Sequence, residues 1–157
     1  MKPFFRYLLI FIVLGVSASA VAQNVQKPIK WRLNVKMTSA TEGEAIVQAA
    51  IDEGWHLYGM KMPADGPKPT TIDLTGSEGV EFTGPLTMAR APKAYVDQMF
   101  GVELTCWETG IVFRRKFKVT DPATAKIKAV ISFMGCNDET CLPPATEKLT
   151  KRIVIRK

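Results

Sequence analysis

Apolar and polar residues alternate along much of this chain. In WRLNVKMT (31–38), Trp31, Leu33, Val35 and Met37 fall on one face and Arg32, Asn34, Lys36 and Thr38 on the other, the period of a half-buried strand. KIKAVISFM (126–134) repeats the pattern, with Ile127, Ala129, Ile131 and Phe133 on one side. Further strands are predicted at 44–51, at the aromatic-rich 55–60, at 70–74, 80–82, 102–106 and 111–119, and in the closing EKLTKRIVIRK (147–157). Turn signals lie between them: Thr41-Glu42-Gly43, Gly54, Gly76 and Gly79, and a hairpin-like break at Glu108-Thr109-Gly110. MPADGPKP (62–69) holds three prolines, through which no regular strand continues. No window has a helical period. Short strands and frequent turns predict an all-β, immunoglobulin-like β-sandwich.

The first 22 residues break this pattern. Lys2 and Arg6 precede the apolar run YLLIFIVLGV, and Ala20-Val21-Ala22 is a small-x-small cleavage site. The run is short for a membrane span and suits a secretory signal. The expected division is a signal peptide over 1–22 and a single domain over 23–157. No cysteine follows the cleavage site, so no lipid anchor is expected, and the mature protein is expected outside the cytoplasm, in the periplasm, as a monomer.

Charge changes the picture little. Without Lys2 and Arg6, 19 basic residues face 15 acidic ones, a net charge of +4. The basic residues are spread along strands, which reads as a solvated surface and not a nucleic-acid footprint.

Export matters most for the three cysteines, Cys106, Cys136 and Cys141. In FMGCNDETCLPP (133–144), Cys136 and Cys141 flank four residues. If 126–134 and 147–157 are antiparallel neighbours, Asn137 to Thr140 connect them and the two cysteines face each other across its mouth. Such a disulfide closes a small loop and stabilises by only about 2 kcal/mol as a plain staple. A metal clip would need further soft ligands, for which Cys106 and His56 are the candidates, with Met60 and Met62 near His56 for copper. A redox pair is the third reading. It lacks the Cys-x-x-Cys helix N-terminus that lowers a thiol pKa, and Asp138 and Glu139 oppose thiolate formation. It would therefore serve a specific docked partner through a mixed disulfide. The residues alone leave all three open.

Cys106 shares the parity of Val102 and Leu104 and is expected to point inward as a small hydrophobe. His56, the only histidine, is expected to be packed or hydrogen-bonded; no Ser/His/Asp arrangement assembles around it. Trp31, Trp55 and Trp107 read as core and rim, and Asp138-Glu139 as a solvated turn.

Gly135-Cys136, a short acidic loop, Cys141 and Pro143-Pro144 together resemble the redox motif of the N-terminal periplasmic domain of the thiol:disulfide interchange protein DsbD family. Gly54-Trp55-His56-Leu57-Tyr58 is similar to its Gly-aromatic-x-Leu-Tyr segment, and Asp97-Gln98-Met99-Phe100-Gly101 to its cap segment. The resemblance implies an immunoglobulin-like domain acting as a thiol:disulfide oxidoreductase, the electron-relaying component of a protein-disulfide reductase, with no metal or organic cofactor. It implies that Cys141 forms mixed disulfides, that Cys136 resolves them, and that Asp97, Met99, Phe100 and Tyr58 shield the pair. The implied partners are thioredoxin-like periplasmic proteins and a membrane electron donor. This chain departs from the pattern in three places: four residues rather than five lie between the cysteines, Met99 stands where Phe is common, and Cys106 has no counterpart. Membrane segments and a thioredoxin-like Cys-x-x-Cys domain are missing from the sequence, so the donor is expected to be a separate polypeptide.

Overall fold

The computed structural model describes residues 27–98 and 100–155; the proposed signal segment and Met99 lie outside them. Twelve strands follow one another: β1 (Ile29–Met37), β2 (Glu42–Ile51), β3 (His56–Tyr58), β4 (Thr71–Asp73), β5 (Val80–Phe82), β6 (Thr87–Met88), β7 (Lys93–Val96), β8 (Glu103–Trp107), β9 (Ile111–Val119), β10 (Lys126–Phe133), β11 (Gly135–Cys136) and β12 (Ala145–Arg152). Among the described residues there is no α-helix, and hence none long and apolar enough to cross a membrane.

All the pairings are antiparallel, in three sheets. One runs β1-β2-β9-β5, with β6 also on β9; a second runs β12-β10-β4; the third runs β11-β3-β8-β7. The alternation read from sequence decides which side chains enter the space between the sheets. Ile29, Trp31 and Leu33 from β1 meet Ala45, Val47 and Ala49 from β2, Phe113 and Phe117 from β9, and Ile127, Ile131 and Phe133 from β10. Phe113 joins the layers: Trp31 stacks on it at 6.3 Å between ring centroids, and Trp107 of the third sheet meets it edge-on at 5.4 Å. Each such aromatic, taken from water, contributes roughly 1.5–3 kcal/mol.

The structure corrects several expectations. Glu42-Gly43 is strand and not turn; the turn occupies residues 38–41. Gly43 sits where three strands are close, and a Cβ there would press on Phe117 and the Lys36 carbonyl. The break at 108–110 is not a hairpin: β8 and β9 join different sheets. Val102 precedes β8 and is exposed, although Leu104 and Cys106 are buried as expected. The last strand begins at Ala145 and ends at Arg152. The two-residue strands β6 and β11 and the four-residue β7 are too short for a periodic signal to mark them.

Candidate functional site

The expected pairing of the strands before and after the cysteines is present: β10 and β12 are antiparallel, with Phe133 opposite Ala145. The connection between them is longer than 137–140, however. It spans 134–144 and leaves that sheet, so that Cys136 pairs with His56 of β3. Within it, Cys136 and Cys141 form a bridge of their own and are joined by a disulfide, their Cα atoms 4.1 Å apart.

Local chemistry explains this small loop. The Asn137 side-chain carbonyl accepts from the amides of Glu139 (3.0 Å) and Thr140 (2.7 Å), an Asx-type turn. The Asn137 amide donates to the Thr140 carbonyl at 2.9 Å, and the Leu142 amide to the Gly135 carbonyl at 3.0 Å. Asp138 and Glu139 point into solvent, as expected. Space is tight at Gly135: a Cβ there would press on the terminal methyl of the Ile29 side chain, which would have to shift. Beyond the loop, Leu142, Pro143 and Pro144 line an apolar groove of about 310 Å³ with Ile29 and Phe133.

The third sheet gathers the rest by register. His56 lies opposite Cys136, Tyr58 opposite Cys106, and Tyr95 opposite Leu104. Directly opposed residues share a face, and so do residues two apart on a strand. Cys136, His56, Tyr58, Leu104, Cys106 and Tyr95 therefore occupy one face, while Leu57 and Trp107 on the other enter the main core. On the site face a second cluster forms from Tyr58, Leu104 and Cys136, with Met62, Tyr95, Phe100, Met134 and Cys141 against it.

The segment expected as a cap forms the loop of the β7–β8 hairpin. The Gly101 amide donates to the Asp97 carbonyl at 2.7 Å, and Gly101 takes a positive φ of 67°, a conformation that suits glycine. Asp97, only 5% exposed, organises the loop and ties it to the sheet. Its Oδ1 accepts from the Phe100 amide at 3.1 Å; its Oδ2 accepts from the hydroxyls of Tyr58 (2.9 Å) and Tyr95 (2.7 Å). The Tyr58 hydroxyl lies 3.9 Å from Cys141 Sγ, and the Phe100 ring meets the Tyr58 ring edge-on at 6.2 Å. Cys136 is buried, whereas Cys141 is partly exposed.

Burial and the hydrogen bond to the Asp97 carboxylate push the Tyr58 and Tyr95 hydroxyls well above the ordinary phenol range, so both keep their protons. Burial, with Glu108 nearby, pushes the Cys106 thiol up to about 11. Cys106 is free and buried. Among the described residues no group of three or more His, Cys, Asp or Glu side chains is placed to hold a metal ion. Met60 packs on the main core and Met62 on the site cluster.

Of the residues expected at the site, Cys136, Cys141, Tyr58, Asp97 and Phe100 are brought together; Met99 lies outside the described residues. Tyr95 does not stand out in the sequence, and His56 is marked there only as packed or hydrogen-bonded, or as a candidate ligand of a metal clip. The available signal was Tyr95 standing two residues before Asp97, which places both on one side of an extended segment.

Comparison with known proteins agrees with this geometry. The family described as "Thiol:disulfide interchange protein DsbD, N-terminal" matches residues 22–152. No curated protein matches the sequence. The structure is similar to the DsbD N-terminal domain of Neisseria meningitidis in its reduced form: TM-score 0.52, 15% identity, covering 83% of this chain and 92% of that one. It is also similar to the N-terminal periplasmic domain of ScsB from Proteus mirabilis: TM-score 0.57, 14% identity, covering 81% of this chain and 47% of that one. At such identities the likeness speaks to the fold, which is the immunoglobulin-like sandwich of DsbD N-terminal domains. The family match together with the bonded cysteine pair points to thiol–disulfide exchange. Over most of its length, this chain belongs to the family of DsbD N-terminal domains.

Proposed function

We propose that the protein is an exported electron relay whose Cys136–Cys141 pair cycles between disulfide and dithiol, taking electrons from a separate membrane reductase and passing them to thioredoxin-like periplasmic proteins. The observation that carries this reading is the unequal exposure of the two cysteines within a family-matched site. Exchange requires access to one sulfur along the S–S axis. Cys141 is reachable and Cys136 is buried, which suits Cys141 as the cysteine of mixed disulfides and Cys136 as the resolving one. The loop over Asp97–Gly101, with Phe100 packed on the site cluster, acts as a shield against stray thiols that opens when a partner docks. No metal or organic cofactor is invoked, and residues 1–22 serve as the cleaved export signal, leaving Gln23 first.

The deciding measurement is the reduction potential, obtained by equilibration with glutathione. A relay is expected to equilibrate within the range of thioredoxin-like partners. A value well below about −300 mV would make the pair a structural staple and end this reading. Cys136→Ser is expected to trap a mixed disulfide through Cys141 with a thioredoxin-like partner, and Cys141→Ser is expected to trap none. N-terminal sequencing of exported protein should begin at Gln23; a retained Met1 would overturn the cleavage.

A further inference from the structure

The site contains a run of hydrogen bonds longer than shielding a disulfide requires. His56 Nε2 lies 3.1 Å from the Tyr95 hydroxyl, which donates to Asp97 Oδ2 at 2.7 Å. The same Oδ2 accepts from Tyr58, whose oxygen lies 3.9 Å from Cys141 Sγ. Four side chains from β3, β7 and the hairpin loop thus connect a partly exposed imidazole to one sulfur of the pair. Where the chain begins, a cleft of about 210 Å³ opens among His56, Tyr95, Asp97, Cys136 and Asp138.

We propose that His56 is the proton-exchanging residue of the cysteine site, trading a proton with Cys141 through Tyr95, Asp97 and Tyr58. This rests on Cys141 being the exchanging cysteine. In the reduced protein Cys141 carries a thiol. The Tyr58 hydroxyl beside it keeps its proton but directs it to Asp97 in a hydrogen bond, so its oxygen faces the thiol as an acceptor. As Cys141 becomes a nucleophile, its proton passes to Tyr58 and the Tyr58 proton to Asp97; the Tyr95 hydroxyl then turns from the neutralised Asp97 to His56 Nε2, gives it its proton and takes one from the Asp97 carboxyl. Each tyrosine and the carboxylate gain and lose one proton. The net change is a Cys141 thiolate and a His56 imidazolium. The thiolate attacks one sulfur of the partner disulfide, the new S–S bond forms, and the other partner sulfur leaves with the electron pair. When Cys141 is itself the leaving group, the proton returns by the same route.

The surroundings of His56 suit this role. Tyr58 on its own strand meets it edge-on at 5.1 Å, and Tyr95 of β7 at 5.7 Å. Cys136 of β11 lies opposite it, and Asp138 comes from the cysteine loop. Asp97 comes from the hairpin loop, and Glu108, paired with Lys93, from the end of β8. Burial holds the imidazole below its ordinary range, against the pull of Asp97, Asp138 and Glu108. It is therefore neutral at pH 7 and free to accept a proton, while the acids around it stabilise the imidazolium once formed.

The test follows alkylation of Cys141 by iodoacetamide in the reduced, exported protein between pH 5 and pH 10, with peptide mass spectrometry separating Cys141 from Cys136 and Cys106. Wild type is expected to show two inflections, the lower set by His56. His56→Gln is expected to retain the fold and lose the lower inflection. It should react about tenfold more slowly at pH 7, the effect of a one-unit rise in apparent thiol pKa, and converge with wild type above about pH 9. Tyr95→Phe, with His56 in place, is expected to show the same loss, and it carries the test alone if His56→Gln does not fold. Superposable profiles would mean that the thiol proton passes directly to water and would overturn the proposal. Loss in His56→Gln but not in Tyr95→Phe would overturn the route. Alkylation needs no partner: a normal His56 effect without partner exchange would remove only the relay, and normal exchange without a His56 effect would remove only this inference.

Discussion

The two faces of the β11-β3-β8-β7 sheet are made by the same short strands and do opposite things. One face sends Leu57 and Trp107 into the main core, where contact is apolar apart from the Trp107 indole N–H donating to the Arg90 carbonyl at 3.3 Å. The other carries Tyr58, Leu104 and Cys136 in a smaller cluster threaded by hydrogen bonds to Asp97. The first face holds the sheet in place. On the second lies one hairpin loop, tied by a few polar contacts; as the proposed cover it would open at lower cost than the core. Alternation along a strand is what lets three residues of β3 serve both faces: Leu57 faces in, while His56 and Tyr58 face the site.

The largest effect should come from the core face. Phe113→Ala removes the ring on which Trp31 and Trp107 both pack and is expected to cost about 3–5 kcal/mol in urea denaturation. A cost under 1 kcal/mol would mean that the two faces are not energetically distinct.

Next, Asp97→Ala leaves the Tyr58 and Tyr95 hydroxyls and the Phe100 amide without this acceptor. It should cost about 1–3 kcal/mol, less than the core change, and should speed reduction by dithiothreitol. A loss of stability with unaltered reduction kinetics would show that the carboxylate holds the sheet and not the cover.

Replacing Met99 and Phe100 together with Ala should leave the fold intact and speed dithiothreitol reduction several-fold, with a far smaller change in reduction potential. Phe100 packs on the site cluster, so removing it uncovers the disulfide more than it weakens the domain. Stopped-flow reduction of the folded double variant checks this, and unchanged kinetics would remove the cap from the account.

Cys106→Ala should have the smallest effect, on the order of 1 kcal/mol, with exchange intact. Its signature is in pH. The folded thiol holds its proton up to about pH 11, higher than an unfolded thiol does. The folded state therefore binds more protons in that window, and stability falls as pH rises from about 8.5 through about 11. The raised Tyr58 and Tyr95 hydroxyls act with the same sign at still higher pH. His56 acts at the other end: its lowered folded pKa means that stability declines as pH falls below about 6.5. Denaturation midpoints across pH should show a shallower alkaline slope in Cys106→Ala.

Much of this was legible before any coordinates. Ile127, Ala129, Ile131 and Phe133 alternate in the sequence and are all buried in the structure. The Asn137–Thr140 turn was visible because its chemistry is local. Tyr95 was not visible, because a four-residue strand at an open sheet edge has too few positions to show a period. His56 drew little weight because a lone histidine acquires meaning only from what faces it.

The sequence by itself determined the longer strands to within a few residues, which side of each is apolar, and that Cys136 and Cys141 are close enough to join. These follow from side-chain period and short-range turn geometry, both written in neighbouring residues. Only the tertiary structure decided which strand lies beside which: that β11 leaves β10 to pair with β3, and that the β7–β8 hairpin brings Asp97 and Phe100 over the cysteines. The physical reason is that backbone amides and carbonyls, which join strands into sheets, are the same in every residue except for proline's missing amide. Alternation names the buried face of a strand but leaves its neighbour to be chosen by the packing of the whole.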